Sequence, residues 1–203
     1  MNPSPLLSFW LLPSREEREA LQTIICQLAQ QYESVKFCPH LTLFTISMDQ
    51  VLAAHLGGDH LLGSDRLLME IDWETYFRPG ISSIQPLSLV VQNIYSGSEF
   101  SKTVFIRLNS TPTLLDTITH LRRTASKAAP VCSPVIDPHI SLIYQTLDVE
   151  TKDAIARSID LPQAIFHFNE IQIRQAPSRF ESSTDVKQLQ CLYSQVLPRS
   201  PVV

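Results

Sequence analysis

The 203-residue sequence lacks three features, each typical of one class of protein: those that bind nucleic acid, those that bind a metal through cysteines, and those that span a membrane. It has no basic excess: 16 Lys and Arg against 20 Asp and Glu give a formal net charge of −4, which argues against a broad nucleic-acid-binding surface. Its cysteines show no CxxC or other metal-ligand spacing, so we expect reduced thiols in a cytoplasmic protein. They are Cys26, Cys38, Cys132 and Cys191.

The apolar stretch near the start of the sequence, Leu6–Leu12, is far too short to cross a bilayer. No basic segment precedes it, and Pro5 and Pro13 border it, unlike the core of a signal peptide. It predicts a buried first strand, and we expect no membrane partner. With 44% hydrophobic and 18% charged residues, the chain has the composition of an ordinary globular protein of one domain or two small lobes.

Apolar periodicity and capping residues predict strand, helix, strand and hairpin in an order that occurs twice along the chain. That order predicts an α+β fold with two similar lobes of antiparallel sheet, helices outside, and a central cleft. We interpret residues 1–203 as a single bilobal domain, residues about 50–85 as an insertion with a turn at 78–80, and residues 198–203 as a loose tail. The predicted strands are 6–12, 39–47, 87–95, 102–109, 138–144, 164–175 and 189–196, and the predicted helices are 14–32, 49–55, 65–76, 111–129 and 148–159.

Two five-residue segments of nearly the same pattern carry the main functional signal, Pro39-His40-Leu41-Thr42-Leu43 and Pro138-His139-Ile140-Ser141-Leu142. Of the six histidines, only these two have a hydroxyl residue two positions later. Each segment predicts the start of a strand, where alternation places His40 with Thr42 on one face, and likewise His139 with Ser141. If the two strands are neighbours, two imidazoles and two hydroxyls face one point.

Such a cleft floor suits displacement at phosphorus. A water must lose a proton as it attacks and a leaving alkoxide must gain one, and an imidazole with a pKa of ~6.5 does either at neutral pH. The hydroxyls can donate to the non-bridging oxygens as their charge changes. This chemistry requires no metal or other cofactor. A single histidine at a strand start is usually structural, but the repeated pattern favours function here.

The segments around these motifs carry a resemblance to a known family. They are Ser8-Phe9-Trp10-Leu11-Leu12-Pro13, Phe37 with Pro39-His40, the hairpin and helix start from Gly97 to Pro112, and Pro138 to Tyr144. On them the sequence resembles the two-histidine phosphoesterase superfamily, most of all its cyclic phosphodiesterases from plants and yeast. These enzymes open nucleoside 2′,3′-cyclic phosphates and ADP-ribose 1″,2″-cyclic phosphate. The resemblance covers most of the chain outside residues about 50–85, where this chain looks longer than the family pattern.

The resemblance implies His40 and His139 as the catalytic acid and base, and Thr42 and Ser141 as phosphate ligands. It also implies Tyr144 as a ligand of phosphate or water. Alternation alone places Tyr144 on the face opposite His139, so its ring reaches the cleft only if the strand bends or ends there.

Three further substrate-binding residues follow from the same resemblance. Trp10 is expected to stack on a base or to wall the cleft, although core packing explains a tryptophan between leucines equally well. Lys102 and Thr103 lie on the hairpin that lines the cleft in the family, where Lys102 supplies positive charge. An exposed lysine beside a turn is the alternative interpretation of Lys102.

We therefore expect a monomeric, metal-independent hydrolase that opens a cyclic phosphodiester to a monoester, with His139 deprotonating the water and His40 protonating the leaving oxygen. The symmetry of the motifs leaves these two roles interchangeable. Relatives with the same motifs act on RNA ends, including 2′-5′ RNA ligase-like proteins and polynucleotide phosphodiesterases, but the acidic balance argues against a basic groove. Two different functions also fit the pattern: a non-catalytic module that binds a cyclic nucleotide, and a histidine metal site.

Overall fold

The computed structural model describes residues 5–56, 71–126 and 136–198, and these form a seven-stranded sheet with helices. The strands are β1 (Leu6–Pro13), β2 (Leu41–Ser47), β3 (Leu87–Ser96), β4 (Val104–Leu108), β5 (His139–Ile143), β6 (Ile165–Ala176) and β7 (Gln190–Val196). The helices are α1 (Arg15–Gln31), α2 (Met48–Leu56), α3 (Trp73–Ile81), α4 (Pro112–Ala125), α5 (Val149–Ser158) and α6 (Ser183–Lys187), and a 3₁₀ turn spans Phe100–Lys102.

The sheet has the order β1-β2-β5-β4-β3-β6-β7, and every pairing is antiparallel. Strand β1 also pairs with the long strand β6, so the sheet bends back on itself. One arm contains β7, β6, β1 and β2, and the other contains β3, β4 and β5. The two arms meet twice: Leu41 of β2 pairs with Ile140 of β5, and β3 pairs with β6. The α+β fold with two antiparallel arms around a cleft is therefore confirmed, and the two motif strands are neighbours.

Alternation along the strands separates the core from the cleft. Leu7, Phe9 and Leu11 of β1 are fully buried in the hydrophobic core. The residues between them point to the opposite face, which becomes the cleft. Strands β2, β4 and β5 follow the same rule, and their core-facing residues are Leu41, Leu43, Val104, Ile106, Leu108, Ile140 and Leu142.

The helices form where the sequence supplies both a cap and an apolar stripe. The hydroxyl of Thr111 accepts the Leu114 N–H at 3.2 Å, Pro112 occupies the first turn of α4, and Leu114, Ile118 and Leu121 are fully buried. At these caps and stripes the predicted helix starts agree with the structure to within a residue or two. No helix in the described ranges is long and apolar enough to cross a membrane.

The region predicted as an insertion differs from expectation in one respect. The predicted turn at 78–80 is wrong, because Pro79 and Gly80 lie inside α3. Proline removes one intrahelical hydrogen bond, but the full burial of Phe77 and Ile81 offsets that loss. Gly80 also permits a close approach of α3 to α4, since an added Cβ would collide with the Thr124 side chain.

Other predictions in this part of the chain lie outside the described residues. These are the start of the predicted helix at 65–76, the side chains of His55 and His60, Cys132, and residues 199–203 of the tail. The predicted end of α4 at residue 129 is wrong, because the helix ends at Ala125 and the backbone of Ser126 is already extended. The short helix α6 was not predicted. Its cap is Ser182, whose hydroxyl accepts from the Asp185 N–H at 3.4 Å and whose own N–H donates to the Asp185 carboxylate at 2.8 Å.

Candidate active site

His40 and His139 face one cleft of about 260 Å³ at the junction of the two arms. It lies where β1, β2 and β5 meet the 3₁₀ turn. Seven of the eight predicted site residues line this cleft: Trp10, His40, Thr42, Lys102, His139, Ser141 and Tyr144. The adjacency on which the motif argument depended is therefore present in the structure.

The two histidines are held by the same hydrogen bond. Nδ1 of His40 lies 2.7 Å from the carbonyl oxygen of Cys38, and Nδ1 of His139 lies 2.7 Å from that of Asp137. A carbonyl oxygen only accepts, so each Nδ1 carries its hydrogen and each Nε2 remains available to the cleft. Both imidazoles are thereby fixed in the tautomer that can accept a proton at Nε2 or, when charged, donate one.

The strand beside each motif repeats the symmetry. Trp10 of β1 pairs with Thr42, and Phe105 of β4 pairs with Ser141. Each of these aromatic residues contacts the neighbouring histidine and a cation. The Arg174 guanidinium carbon lies 4.7 Å from the Trp10 ring, and the Lys102 ammonium nitrogen lies 4.6 Å from the Phe105 ring.

The contact with the aromatic residue differs between the two histidines. The His40 ring stacks on Trp10 with centroids 3.5 Å apart and planes 10° apart, and His40 is only 7% exposed. Burial, with smaller contributions from the Arg174 and His139 charges, lowers the pKa of His40 to about 3, although the bond to Cys38 opposes this shift. His40 is therefore neutral at physiological pH.

His139 is in a less enclosed environment. Its ring meets Phe105 edge to face, with centroids 5.4 Å apart. Burial and the Lys102 cation lower the pKa of His139, whereas the Asp137 carbonyl and the carboxylates of Asp137 and Glu99 act in the opposite direction. Because His139 is less buried than His40, burial opposes its charged form less strongly.

Lys102 is fixed at the mouth of the cleft. Its ammonium group forms an ion pair with the Asp137 carboxylate, which also pairs with Arg107, and its side chain is only 19% exposed. The alternative interpretation of Lys102 as a freely exposed lysine therefore does not hold. Asp137 thus links the cation to the backbone carbonyl that holds His139.

The hydroxyl groups take different positions. Thr42 is exposed in the cleft, whereas Ser141 is buried and its hydroxyl donates to the Ser101 carbonyl at 2.7 Å. Strand β5 ends at Ile143, so Tyr144 escapes the alternation of the strand and its ring turns to the cleft. Burial raises the pKa of Tyr144, and its ring stacks on Phe37 with centroids 3.7 Å apart.

Thr103 is the predicted site residue that the structure places outside the cleft. It is buried, and its hydroxyl donates to the carbonyl of Gln145, with the Glu99 and Phe100 carbonyls 3.2 Å away. Its predicted substrate-binding role is replaced by a structural one, the attachment of the 3₁₀ turn to the chain after β5.

Trp10 forms part of the cleft wall and does not offer a free ring face on which a nucleobase could stack. It is 3% exposed, and its indole N–H donates to the Ser8 hydroxyl at 2.7 Å. Since β1 lies between β2 and β6, His40 and Arg174 approach the indole from opposite sides.

Sequence reasoning missed Ser8, Arg174 and Phe180, which are also near the site. Of these, only Ser8 left a signal, because alternation places it on the same face as Trp10.

No group of three or more His, Cys, Asp or Glu residues in the described part of the chain could hold a metal ion. His120, outside the cleft, is exposed and lies 2.8 Å from the Gly80 carbonyl through its Nε2. It is available as a reference histidine for mutagenesis.

Comparison with known proteins gives matches in sequence and in structure. Residues 6–172 match the family described as cyclic phosphodiesterase-like protein. A cyclic phosphodiesterase of Arabidopsis thaliana is 22% identical over 147 residues, which are 71% of this chain and 68% of that protein.

Two solved structures have a similar fold. TT0787 of Thermus thermophilus has a TM-score of 0.54 and 12% identity, and the alignment covers 97% of this chain and 100% of that one. E. coli LigT in its apo form has a TM-score of 0.51 and 17% identity, over 98% and 100% of the two chains. At these identities the similarity establishes the fold.

Proposed function

The chain belongs to the cyclic phosphodiesterase-like protein family, within the two-histidine phosphoesterase superfamily, and we propose that it hydrolyses a cyclic phosphodiester to a phosphomonoester without a metal. The substrate is a nucleoside 2′,3′-cyclic phosphate or ADP-ribose 1″,2″-cyclic phosphate. The observation that carries this proposal is the pair of imidazoles in one cleft, each with its Nδ1–H bonded to a carbonyl. Family membership and fold support a phosphoesterase activity in general.

The electrostatics of the cleft favour the opposite assignment of acid and base from the one the sequence suggested. A neutral His40 accepts the proton of the attacking water at Nε2 while the water oxygen forms a bond to phosphorus. The P–O bond to the leaving oxygen then breaks, and that oxygen takes the proton from Nε2 of a protonated His139. The products are a phosphomonoester and a free sugar hydroxyl, and proton exchange with solvent resets both rings.

Charge and hydrogen bonds around the cleft support the same reaction. An anionic phosphodiester favours protonation of His139, which already has the Asp137 and Glu99 carboxylates nearby. The Thr42 hydroxyl is free to turn towards a non-bridging oxygen, and Lys102 supplies the cation at the mouth. We assign Ser141 and Tyr144 as the remaining hydrogen-bonding groups of the phosphate pocket; to donate there, the Ser141 hydroxyl turns away from the Ser101 carbonyl.

Phosphorus NMR tests the activity directly. The protein is incubated in EDTA with 2′,3′-cyclic AMP and, separately, with ADP-ribose 1″,2″-cyclic phosphate, beside the His40→Ala, His139→Ala and His120→Ala variants. We expect turnover that survives EDTA, falls by about 10²–10⁴-fold in each cleft variant, and is unchanged in His120→Ala. Activity retained in either cleft variant, or binding without turnover in the wild type, would contradict the proposal. The latter result would support a binding module instead.

A substrate with a 4-nitrophenyl leaving group separates the acid from the base. Nitrophenolate leaves without a proton, so removing the general acid should hardly slow the hydrolysis of such a diester. Removing the general base should slow it as much as it slows hydrolysis of the cyclic substrate. We therefore expect His139→Ala to recover most of its activity on a nucleoside 4-nitrophenyl phosphodiester, and His40→Ala to remain inactive. Recovery in His40→Ala alone would restore the assignment first suggested by the sequence.

A further inference from the structure

A second cavity of about 630 Å³ continues from the catalytic cleft. The two cavities share Thr45, Glu99, Ser101 and Phe180 in their walls, so a ligand held at the histidines can extend into the second one. Phe180 therefore lies at the junction, where the part of a substrate attached to the phosphate would pass. We call this second cavity the outer chamber.

The wall that carries Phe180 is held in place. The amide groups of Glu181 and Ser182 donate to the Asp185 carboxylate at 3.0 and 2.8 Å, which anchors the segment to the start of α6. Phe180 is half-buried and packs against the hydrophobic core, as does Leu189 beside it. A half-buried aromatic ring that packs against the core and lines both cavities is suited to stacking on a planar group.

The charges of the outer chamber disfavour further phosphates. The residues that line it include two carboxylates, Glu99 and Glu181, and one cation, Arg179, whose exposed side chain lies 3.6 Å from the Glu181 carboxylate. The balance is negative, so a pyrophosphate or a polynucleotide chain would be repelled here. An uncharged planar group with hydrogen-bond donors is compatible with this wall, because carboxylates accept from amino and imino groups.

We propose that the outer chamber binds the nucleobase of the substrate, with Phe180 as the stacking surface. The proposal rests on the proposed function and narrows it to a nucleoside whose sugar carries the cyclic phosphate directly. Phe180 itself lies beyond residues 6–172, the part of the chain that matches the family, whereas Thr45, Glu99 and Ser101 of the same chamber lie within that part. It also assigns to Phe180 the base contact that Trp10 cannot make.

The test compares a substrate that has a base with one that has none. Values of kcat/KM are measured for 2′,3′-cyclic AMP and for the 2,3-cyclic phosphate of methyl riboside, with wild type, Phe180→Ala, Phe180→Leu and Phe180→Tyr. Base stacking on an aromatic side chain predicts that kcat/KM for 2′,3′-cyclic AMP falls by about 5- to 150-fold in Phe180→Ala. We expect less than about a twofold change on the riboside, and recovery in Phe180→Tyr but only partial recovery in Phe180→Leu. Val149→Ala, at a 65% exposed apolar position on α5, is the surface control.

The outcomes distinguish this inference from the proposed function. If Phe180→Ala lowers kcat/KM equally for the two substrates, or does not lower it for 2′,3′-cyclic AMP, the subsite is refuted. Hydrolysis by the wild type would still support the proposed function. Absence of wild-type turnover with these two substrates and with ADP-ribose 1″,2″-cyclic phosphate would refute the proposed function itself. Faster turnover of ADP-ribose 1″,2″-cyclic phosphate than of cyclic AMP would also overturn the inference, because its pyrophosphate would then occupy the chamber.

Discussion

Replacing Arg174 with methionine should raise the pKa of His40. The Arg174 guanidinium and the His40 imidazole lie on opposite faces of Trp10, 4.7 and 3.5 Å from the ring, which places the two charges about 8 Å apart. At an effective dielectric constant of ~20, two charges at that distance interact by about 2 kcal/mol, or about 1.5 pKa units. Arg174 is half-buried and partly screened, so we expect a rise of about 0.5 to 1.5 units.

The pKa of His40 should nevertheless stay well below ~6.5 in Arg174→Met, because burial is its largest cause. The assay is an NMR titration of the histidine Cε1–H signals, with the His40 signal assigned from its absence in His40→Gln. Between about pH 4 and 5 the variant should begin to protonate while the wild type stays neutral. Arg174→Lys keeps the charge and should behave as the wild type does. An unchanged titration in Arg174→Met, or the same rise in both variants, would refute the argument.

Three further predictions concern stability and the turn near the cleft. Burial lowers the pKa of His40 to about 3 in the folded chain, so the unfolded chain binds the proton more tightly. The free energy of unfolding, measured with urea, should therefore fall as the pH falls below ~6.5, by at most about 1.4 kcal/mol per pH unit. In His40→Gln this fall should be less steep. Thr103→Val removes the hydroxyl bond to Gln145 and should cost about 1–3 kcal/mol in urea denaturation without changing KM; a raised KM would restore its binding role. In Gly97→Ala the new Cβ would lie well inside van der Waals contact with the Lys102 carbonyl oxygen. The substitution should therefore displace the 3₁₀ turn and lower both the melting temperature and kcat/KM. Full activity of this variant would contradict the prediction.

Local signals predicted most of the secondary structure. Period-two alternation located β1, β2 and β5, and the caps at Thr111 and Asp148 located the starts of α4 and α5. The prediction failed at Pro79, where a local breaker lies in a helix because the flanking Phe77 and Ile81 are buried. It missed α6 because a helix of five residues leaves too short a pattern to recognise.

The site could be predicted only where its residues belong to the two motifs. Their pattern identified His40 and His139, but their meeting depends on the pairing of Leu41 with Ile140, which no local pattern specifies. Arg174 reaches Trp10 only through the register of β1 with β6, where it pairs with Ser8. The roles of the site residues, the cytoplasmic location and the monomeric state stay predictions.

The difference between the two histidines arises from the strands beside them and not from the motifs. Trp10 and Phe105 occupy equivalent positions, each opposite the hydroxyl residue of its motif. The larger indole lies flat on His40 and excludes water, whereas the smaller phenyl ring meets His139 by its edge and leaves space for a lysine. Desolvation opposes the charged form of an imidazole, so the flat contact favours a base and the edge contact permits an acid. Under the proposed mechanism, two nearly identical motifs therefore carry opposite roles because different aromatic residues lie on the strands beside them.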